Sequence, residues 1–250
     1  VIYYRKTMPN SYAKYTEISI NALKFNPRSQ DIIEKKQEIL ASVSDHYNSK
    51  PTSILFMGFS PLMLGVTYKQ LFVTNITAET KNYLDNTGIK YTYIDTPELP
   101  NYKKQFSWVI AGEEYFTFAN TEEEQRASVE VLSALSKDLI VTTLKDYKNQ
   151  DFKDREFSQP LAIHNHNQAK LFLEYHDYDF IDKNSWKTTV YEMDGTNTKV
   201  SNTFSRRTMF FKQMAKFSID AGANDFYVHK NLMYKSLIRK NYEHVITIKF

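Results

Sequence analysis

Five short and nearly continuous apolar runs, separated by loops or helical stretches, constrain the fold of this chain most strongly. They span residues 53–58, 71–75, 91–95, 106–111 and 138–143. Strands that are apolar along their whole length are buried on both faces, and helices between them supply the crossovers that parallel strands need. The pattern therefore predicts a doubly wound α/β fold, with a mostly parallel sheet covered by helices on both faces.

The helical stretches have the expected start signals. Apolar residues recur at helical spacing over residues 32–47, Thr77 is suited to cap a helix over residues 77–86, and Asn120 or Thr121 begins one that reaches Ser136. Three glutamates occupy the first turn of that last helix, where the helix dipole favours acidic side chains.

The second half of the chain has a different texture. Residues 169–182 and 187–193 have the pattern of antiparallel strands, with a turn signal at Asp194-Gly195. A helix from Ser205 to about residue 221 and two closing strands, over 225–229 and 243–250, complete the prediction. We expect an irregular segment at 1–30, an α/β domain at 31–250, and within it an insertion at 157–204 on the substrate side.

Composition excludes several classes of protein. The 250 residues are 42% hydrophobic and 15% aromatic, which suffices for a packed core, and the net charge of +3 does not predict nucleic-acid binding. Without cysteine the chain has no disulfides, thiolate zinc sites or cysteine nucleophiles. No apolar run approaches the roughly 18 residues of a membrane helix, so a cytoplasmic protein without a membrane partner is expected. The Asn, Lys and Tyr content suggests an AT-rich genome, such as that of a phage or a marine microbe.

Small or polar residues follow each of the first four strands. Gly58 and Ser60 follow the first, Asn75 the second and Asp95 the third, while the fourth ends in residues 111–114, Ala-Gly-Glu-Glu. In open α/β sheets, ligands bind outside the carboxyl ends of the strands, where the strand order reverses. We expect these residues to converge there.

Over roughly residues 30–250, this order of elements resembles the class I S-adenosylmethionine-dependent methyltransferase superfamily. The resemblance implies a Rossmann-like sheet of seven strands with an antiparallel final strand, and a β-hairpin insertion after the fifth strand. It further implies S-adenosylmethionine as cofactor and a methyl acceptor that is a small molecule or a nucleic acid. Whether the chain forms a homo-oligomer is left open.

The resemblance also assigns roles to residues. Gly58 corresponds to the first glycine of the family's cofactor loop and Ser60 to a second one, while Asn75 stands where an acid usually holds the ribose. Asp95 matches the adenine-contacting position. Ala111, at the end of the fourth strand, is assigned to the cofactor as well. Beside it the family places substrate-facing or catalytic residues, here Glu113 and Glu114.

Three hypotheses follow from these positions. The first is an active methyltransferase. The second is a catalytically degenerate relative that serves as a binding or structural protein, for example in a virus, because Phe56, Ser60 and Leu62 depart from the family's loop. The third is a nucleotide- or sugar-binding α/β enzyme of another family, in which Asp95 and Glu113 do different work.

Three further clusters of side chains are candidates for binding. Arg206 and Arg207, expected at the start of the late helix, could hold a phosphate or carboxylate of a substrate. The lysines of the last quarter could form a nucleic-acid face or a solvated one. His164, His166 and His176 resemble metal ligands, but they fall in or near polar loops, and no metal site is predicted.

Overall fold

The apolar runs form the centre of a seven-stranded sheet in the computed structural model, which describes residues 10–64, 70–147, 155–158, 161–166, 168–179, 182, 184–195, 197–235 and 242–250. The parallel strands are β1 (Ser53–Met57), β2 (Gln70–Thr74), β3 (Thr92–Tyr93), β4 (Phe106–Ala111), β5 (Ser136–Leu144) and β11 (Asp225–Lys235). Strand β12 (Tyr242–Lys249) is antiparallel to both β5 and β11, as predicted. The order is β11-β12-β5-β4-β1-β2-β3.

Five helices accompany these strands in the described ranges, and their bounds are α1 (Asn10–Phe25), α2 (Ser29–Tyr47), α3 (Ala78–Asn86), α4 (Glu122–Leu135) and α5 (Phe211–Asp220). Thr77 and Thr121 cap α3 and α4 through their side chains, which confirms both predicted starts. Short 3₁₀ helices follow β1, β3 and β4, at Pro61–Met63, Thr96–Tyr102 and Tyr115–Phe118.

Helix α1 corrects the expectation of an irregular segment at 1–30. The breakers Pro9 and Pro27 only flank it, and no Gly or Pro lies between Asn10 and Phe25. Its buried side chains include Tyr12, Tyr15, Ser19 and Leu23, which recur every three to four residues. Residues 1–9 lie outside the described part of the chain.

The predicted hairpin after β5 is the centre of a larger antiparallel sheet. Strands β8 (Gln168–Tyr178) and β9 (Ser185–Asp194) pair with each other, and β10 (Asn197–Arg207) extends β9. The short strands β6 (Arg155–Phe157) and β7 (Leu161–Asn165) both pair with β8. This inserted sheet packs its inner face, with Phe172, Val190 and Phe204 buried, towards the main domain.

The expected helix start at Ser205 is wrong. Ser205, Arg206 and Arg207 belong to β10, paired with Lys187, Trp186 and Ser185 of β9, and α5 begins only at Phe211. Helix propensity did not decide these positions, because the ladder to β9 satisfies their backbone groups. The two arginines therefore do not lie in a helical first turn.

Candidate functional site at the carboxyl edge of the sheet

The turn after β1 needs its glycine. Gly58 has φ of +80°, in the left-handed region, and its N–H donates to the Thr74 carbonyl oxygen at 2.9 Å. A Cβ at Gly58 would lie 2.6 Å from Cε1 of Tyr12, closer than real Cβ contacts allow. The bare backbone thus accommodates an aromatic ring from α1 rather than open space.

The rest of this loop turns inward. Phe59, Leu62 and Met63 are all buried, and the Phe59 ring packs edge-on against Tyr83. The Ser60 hydroxyl accepts from the Leu62 N–H at 3.3 Å and so starts the 3₁₀ helix that follows. Ser60, a candidate cofactor contact, is therefore engaged as a cap.

Tyr12 joins the ends of β1 and β4. Its ring contacts Gly58, and its hydroxyl donates to the Gly112 carbonyl oxygen at 2.8 Å. The rings of Tyr115 and Phe118 pack edge-to-face on it, with centroids 4.8 and 5.4 Å away. Burial, followed by the charge of a nearby carboxylate, raises the Tyr12 pKa well above its usual range, so the phenol stays a neutral donor. Tyr12 was not among the residues predicted from sequence, although the apolar spacing of α1 was a usable signal.

The ends of β2 and β3 carry the two polar candidates for an adenosine group. Asn75 has φ of +53° and is buried, and its Nδ2 has no acceptor among the described residues. Asp95 follows β3, is exposed, and makes no capping hydrogen bond although it precedes the 3₁₀ helix. Because β1, β2 and β3 are neighbours, Gly58, Asn75 and Asp95 lie along one stretch of the carboxyl edge, as expected.

Ala111 and the two acids behind it end β4. Ala111 is fully buried, and its carbonyl oxygen accepts from the Thr142 hydroxyl at 2.5 Å. Glu113 and Glu114 both have left-handed backbones, with φ of +50° and +56°. Neither carboxylate reaches solvent, since their exposed fractions are 0% and 1%.

Glu113 lies in a buried polar cluster under α1 and α2. Its Oε1 accepts from the Tyr234 hydroxyl at 2.6 Å, while its Oε2 has no hydrogen-bond donor among the described residues. The Lys36 ammonium is 3.1 Å from the centroid of the Tyr234 ring and donates to the Lys235 carbonyl oxygen at 2.7 Å. Burial lowers the Lys36 pKa to about 8, against the opposing attraction of Glu113.

Glu114 is committed to a different buried cluster. Its Oε2 accepts from Arg206 Nη2 at 2.9 Å, its Oε1 accepts from the Tyr147 hydroxyl, and Arg206 also donates to Thr117 at 2.6 Å. Arg206 is thus an internal partner of Glu114. Its neighbour Arg207 pairs instead with Asp182.

His164, His166 and His176 form no common cluster in the described part of the chain. The ring of His176 lies 3.0 Å from the Thr188 hydroxyl and 3.6 Å from a Glu174 oxygen. No group of three or more metal-ligating side chains occurs among the described residues. In the same ranges, no helix is both long and apolar enough to cross a bilayer.

Comparison with solved structures decides the fold. No protein-family model and no curated protein matches the sequence. A S-adenosylmethionine-dependent methyltransferase from Clostridium acetobutylicum superposes with a TM-score of 0.61 at 10% identity, over 87% of this chain and 91% of that one. DesVI from Streptomyces venezuelae gives 0.65 at 11%, over 88% and 92%. The chain has the class I methyltransferase fold.

A third solved methyltransferase carries its ligand. CalS10 from Micromonospora echinaspora, an amino pentose methyltransferase described with S-adenosylmethionine bound, superposes with a TM-score of 0.58 at 8% identity, over 89% of this chain and 91% of that one. In this methyltransferase fold, the switch in strand order falls between β1 and β4, where Gly58 and Gly112 are joined through Tyr12.

Proposed function

We propose that this protein is a S-adenosylmethionine-dependent methyltransferase whose cofactor is held at the ends of β1, β2 and β3. The observation that carries the proposal is the arrangement at the switch point. The bare turn at Gly58 is followed, on the next two strands, by the Asn75 amide nitrogen without an acceptor and by the exposed Asp95 carboxylate. Ligands bind at this place in open α/β sheets.

The residues present fit the cofactor at Asn75 and Asp95, and at Gly58 once the Tyr12 ring moves away from the turn. The Gly58 backbone would face its methionine part, the Asn75 amide would bond a ribose hydroxyl, and the Asp95 carboxylate would accept from the adenine amine. An amide bonds a hydroxyl more weakly than a carboxylate does, so Asp95 carries the charge-assisted bond. The cofactor, when bound, supplies a methyl group made electrophilic by its sulfonium.

For the acceptor, a small molecule or a nucleic acid, the protein contributes position and a proton acceptor. Of the two sequence candidates, Glu113 fits that role better, because its Oε2 has no donor among the described residues whereas Glu114 is bonded to Arg206 and Tyr147. Glu113 is fully buried, so an acceptor reaches it only if the residues that cover it move. The insertion at 157–204 would then shape the acceptor side.

One observation favours a second function, that of a methyltransferase-fold binding or structural protein without catalysis. The Tyr12 ring lies on Gly58, and Phe59, Leu62 and Met63 are all buried, so protein atoms fill space beside the turn. If α1 stays in place, the cofactor has no access to Gly58.

Ligand binding separates the two functions. We expect S-adenosylmethionine and its demethylated product to raise the free energy of unfolding of the full chain, by about 2.7 kcal/mol at a concentration 100 times Kd. Asp95→Ala should weaken binding about tenfold or more, because a bond to a charged group is lost. The matched control is Glu98→Ala, an exposed acid in the 3₁₀ helix that follows.

The outcomes are distinct. Binding that Asp95→Ala weakens and Glu98→Ala preserves supports the methyltransferase. Binding that both variants preserve would place the cofactor elsewhere. If neither the natural chain nor Tyr12→Ala, which clears the space over Gly58, binds at millimolar ligand, the methyltransferase proposal is wrong and the non-catalytic function stands.

A further inference from the structure

A large cavity lies on the β5 side of the carboxyl edge, away from the residues proposed to hold the cofactor. Its volume is about 760 Å³, within the usual range of small-molecule sites. The end of β10, the loop after β5 and the first turns of α4 and α5 enclose it. Four aromatic side chains line it, and these are Tyr147, Phe210, Phe211 and Phe217.

The aromatic wall is rigid on one side. Phe217 is only 1% exposed, and the Tyr147 hydroxyl is bonded to the buried Glu114. Phe210 and Phe211 are half-buried beside them, and the Phe211 ring packs edge-on against His244 at 5.5 Å. Phe210 and Phe211 therefore keep accessible ring surface on which a flat apolar group can stack, in front of the buried rings of Phe217 and Tyr147.

The cationic side of the cavity is formed by α5. Lys212 and Lys216 stand one turn apart, both exposed, and neither forms an ion pair with any described residue. Arg207 lines the same cavity, while Glu122 and Asp146 are its acidic lining residues. Because Arg207 is already paired with Asp182, Lys212 and Lys216 are the cations that can converge on one anionic group.

Two further features point to an anion. The first turn of α5 contains no acidic side chain, and the Phe210 N–H at its N-cap donates to the Gln213 side chain at 3.5 Å, so the helix start carries no negative charge that would oppose an anion. Independently, Thr208 also lines the cavity and is only 2% exposed, yet its hydroxyl has no hydrogen-bond partner among the described residues. A buried hydroxyl without a partner is costly and is commonly satisfied by a ligand or water.

We propose that this cavity binds a small molecule with a flat apolar body and one phosphate or carboxylate group. The body stacks on the half-buried rings of Phe210 and Phe211, and the anion lies between Lys212, Lys216 and the start of α5. The Thr208 hydroxyl donates to the ligand. The proposal does not depend on methyl transfer, since none of these residues is a proposed cofactor contact.

The test uses 1-naphthyl phosphate as probe, with 1-naphthol and inorganic phosphate as its two halves. Titration of the full chain, followed calorimetrically without S-adenosylmethionine, should give binding about tenfold or more tighter for the probe than for either half. The double variant Lys212→Gln/Lys216→Gln should lose about tenfold in affinity for the probe and leave 1-naphthol unchanged. The control is Lys137→Gln/Lys230→Gln, which removes two exposed lysines outside the cavity.

A second variant tests the hydroxyl. Thr208→Val keeps the shape of the side chain and should lower the affinity for the probe about threefold to tenfold, because one hydrogen bond to a charged group is lost. Repeating the titration with naphthalene-1-carboxylate distinguishes phosphate from carboxylate as the preferred anion. The inference is overturned if the probe binds no tighter than 1-naphthol, or if both double variants weaken it equally.

Discussion

The two halves of the carboxyl edge treat their polar side chains in opposite ways. At the open end, formed by the ends of β1, β2 and β3, Asp95 is exposed and the Asn75 amide nitrogen has no acceptor among the described residues. At the closed end, formed by the ends of β4 and β5, Glu113 and Glu114 are fully buried. Glu113 is bonded to Tyr234, and Glu114 to Tyr147 and Arg206.

The difference shows that position in a fold does not fix what a side chain does. Both ends lie at the edge where α/β sheets bind ligands. Helix α1 and the inserted sheet cover the closed end, so its acids become parts of the core. At the open end, the only side chain of the described residues that bonds to Asp95 is the neighbouring Tyr93 phenol. Three measurements can break or sharpen this contrast.

Removing a carboxylate from the closed end should have the largest effect. Glu114→Ala leaves the fully buried Arg206 guanidinium without its counter-charge, and we expect a loss of about 3–5 kcal/mol in the free energy of unfolding. Urea denaturation measures this loss. Glu130→Ala, an exposed acid on α4, is the matched control and should change little.

A double variant shows whether the loss comes from the stranded charge. Glu114→Leu combined with Arg206→Met removes both ions and should be less destabilising than the sum of the two single changes, because breaking one side of a buried pair costs more than replacing both. Strict additivity would mean that the pair is not enclosed as described, and the contrast between the two ends would fall.

The boundary between the ends can be tested at two glycines. Gly58 and Gly88 have nearly the same backbone, with φ of +80° and +75°, but only Gly58 has a neighbour where a Cβ would stand. Alanine at either position carries the same left-handed strain. We expect Gly58→Ala to lose about 1–3 kcal/mol more than Gly88→Ala in urea denaturation, from the clash with Tyr12.

Adding Tyr12→Ala makes this comparison specific. In that background most of the excess cost of Gly58→Ala should disappear, because the ring is gone and only the Thr16 Oγ1, 3.3 Å from the Cβ position, stays close. Equal losses in the free energy of unfolding at the two glycines of the natural chain would show that α1 does not lie over the turn. The ends of β1, β2 and β3 would then be accessible along their whole length.

Most of the sheet could be predicted from sequence, because apolar runs and helix caps are local signals. The strands β1, β2, β4, β5 and β12 and the caps of α3 and α4 were all found in this way. Helix α1 was not predicted, because the helix breakers Pro9 and Pro27 lie close on either side of it. Its interior contains no breaker.

The site was less predictable, because its character depends on contacts distant in sequence. Glu113 and Glu114 were correctly located at the end of β4, but their partners Tyr234 and Arg206 lie 121 and 92 residues away. Arg206 was expected in a helix because the pairing of β10 with β9 is not a local property. Burial of an acid cannot be deduced from the acid's own neighbours in the chain.

The smallest expected effect is a pH dependence that originates at the closed end. Lys36 has a pKa of about 8 in the folded chain, lowered by burial from its ordinary 10.5, so above pH 8 the unfolded chain holds the proton that the folded chain has released. The free energy of unfolding must then rise with pH, by about 1–2 kcal/mol between pH 8 and 9.5. The rise ends near pH 9.5 because the pKa values of Tyr12 and Tyr234 are raised by burial. Once tyrosines ionise in the unfolded chain, these two residues lower the free energy of unfolding as the pH increases.

Lys36→Met should flatten the dependence of the free energy of unfolding on pH. Lys35→Met, which changes an exposed neighbour on α2, should leave that dependence as it is. If the free energy of unfolding of the natural chain does not change with pH in this window, Lys36 is solvated. Burial at the closed end would then hold only around Glu114.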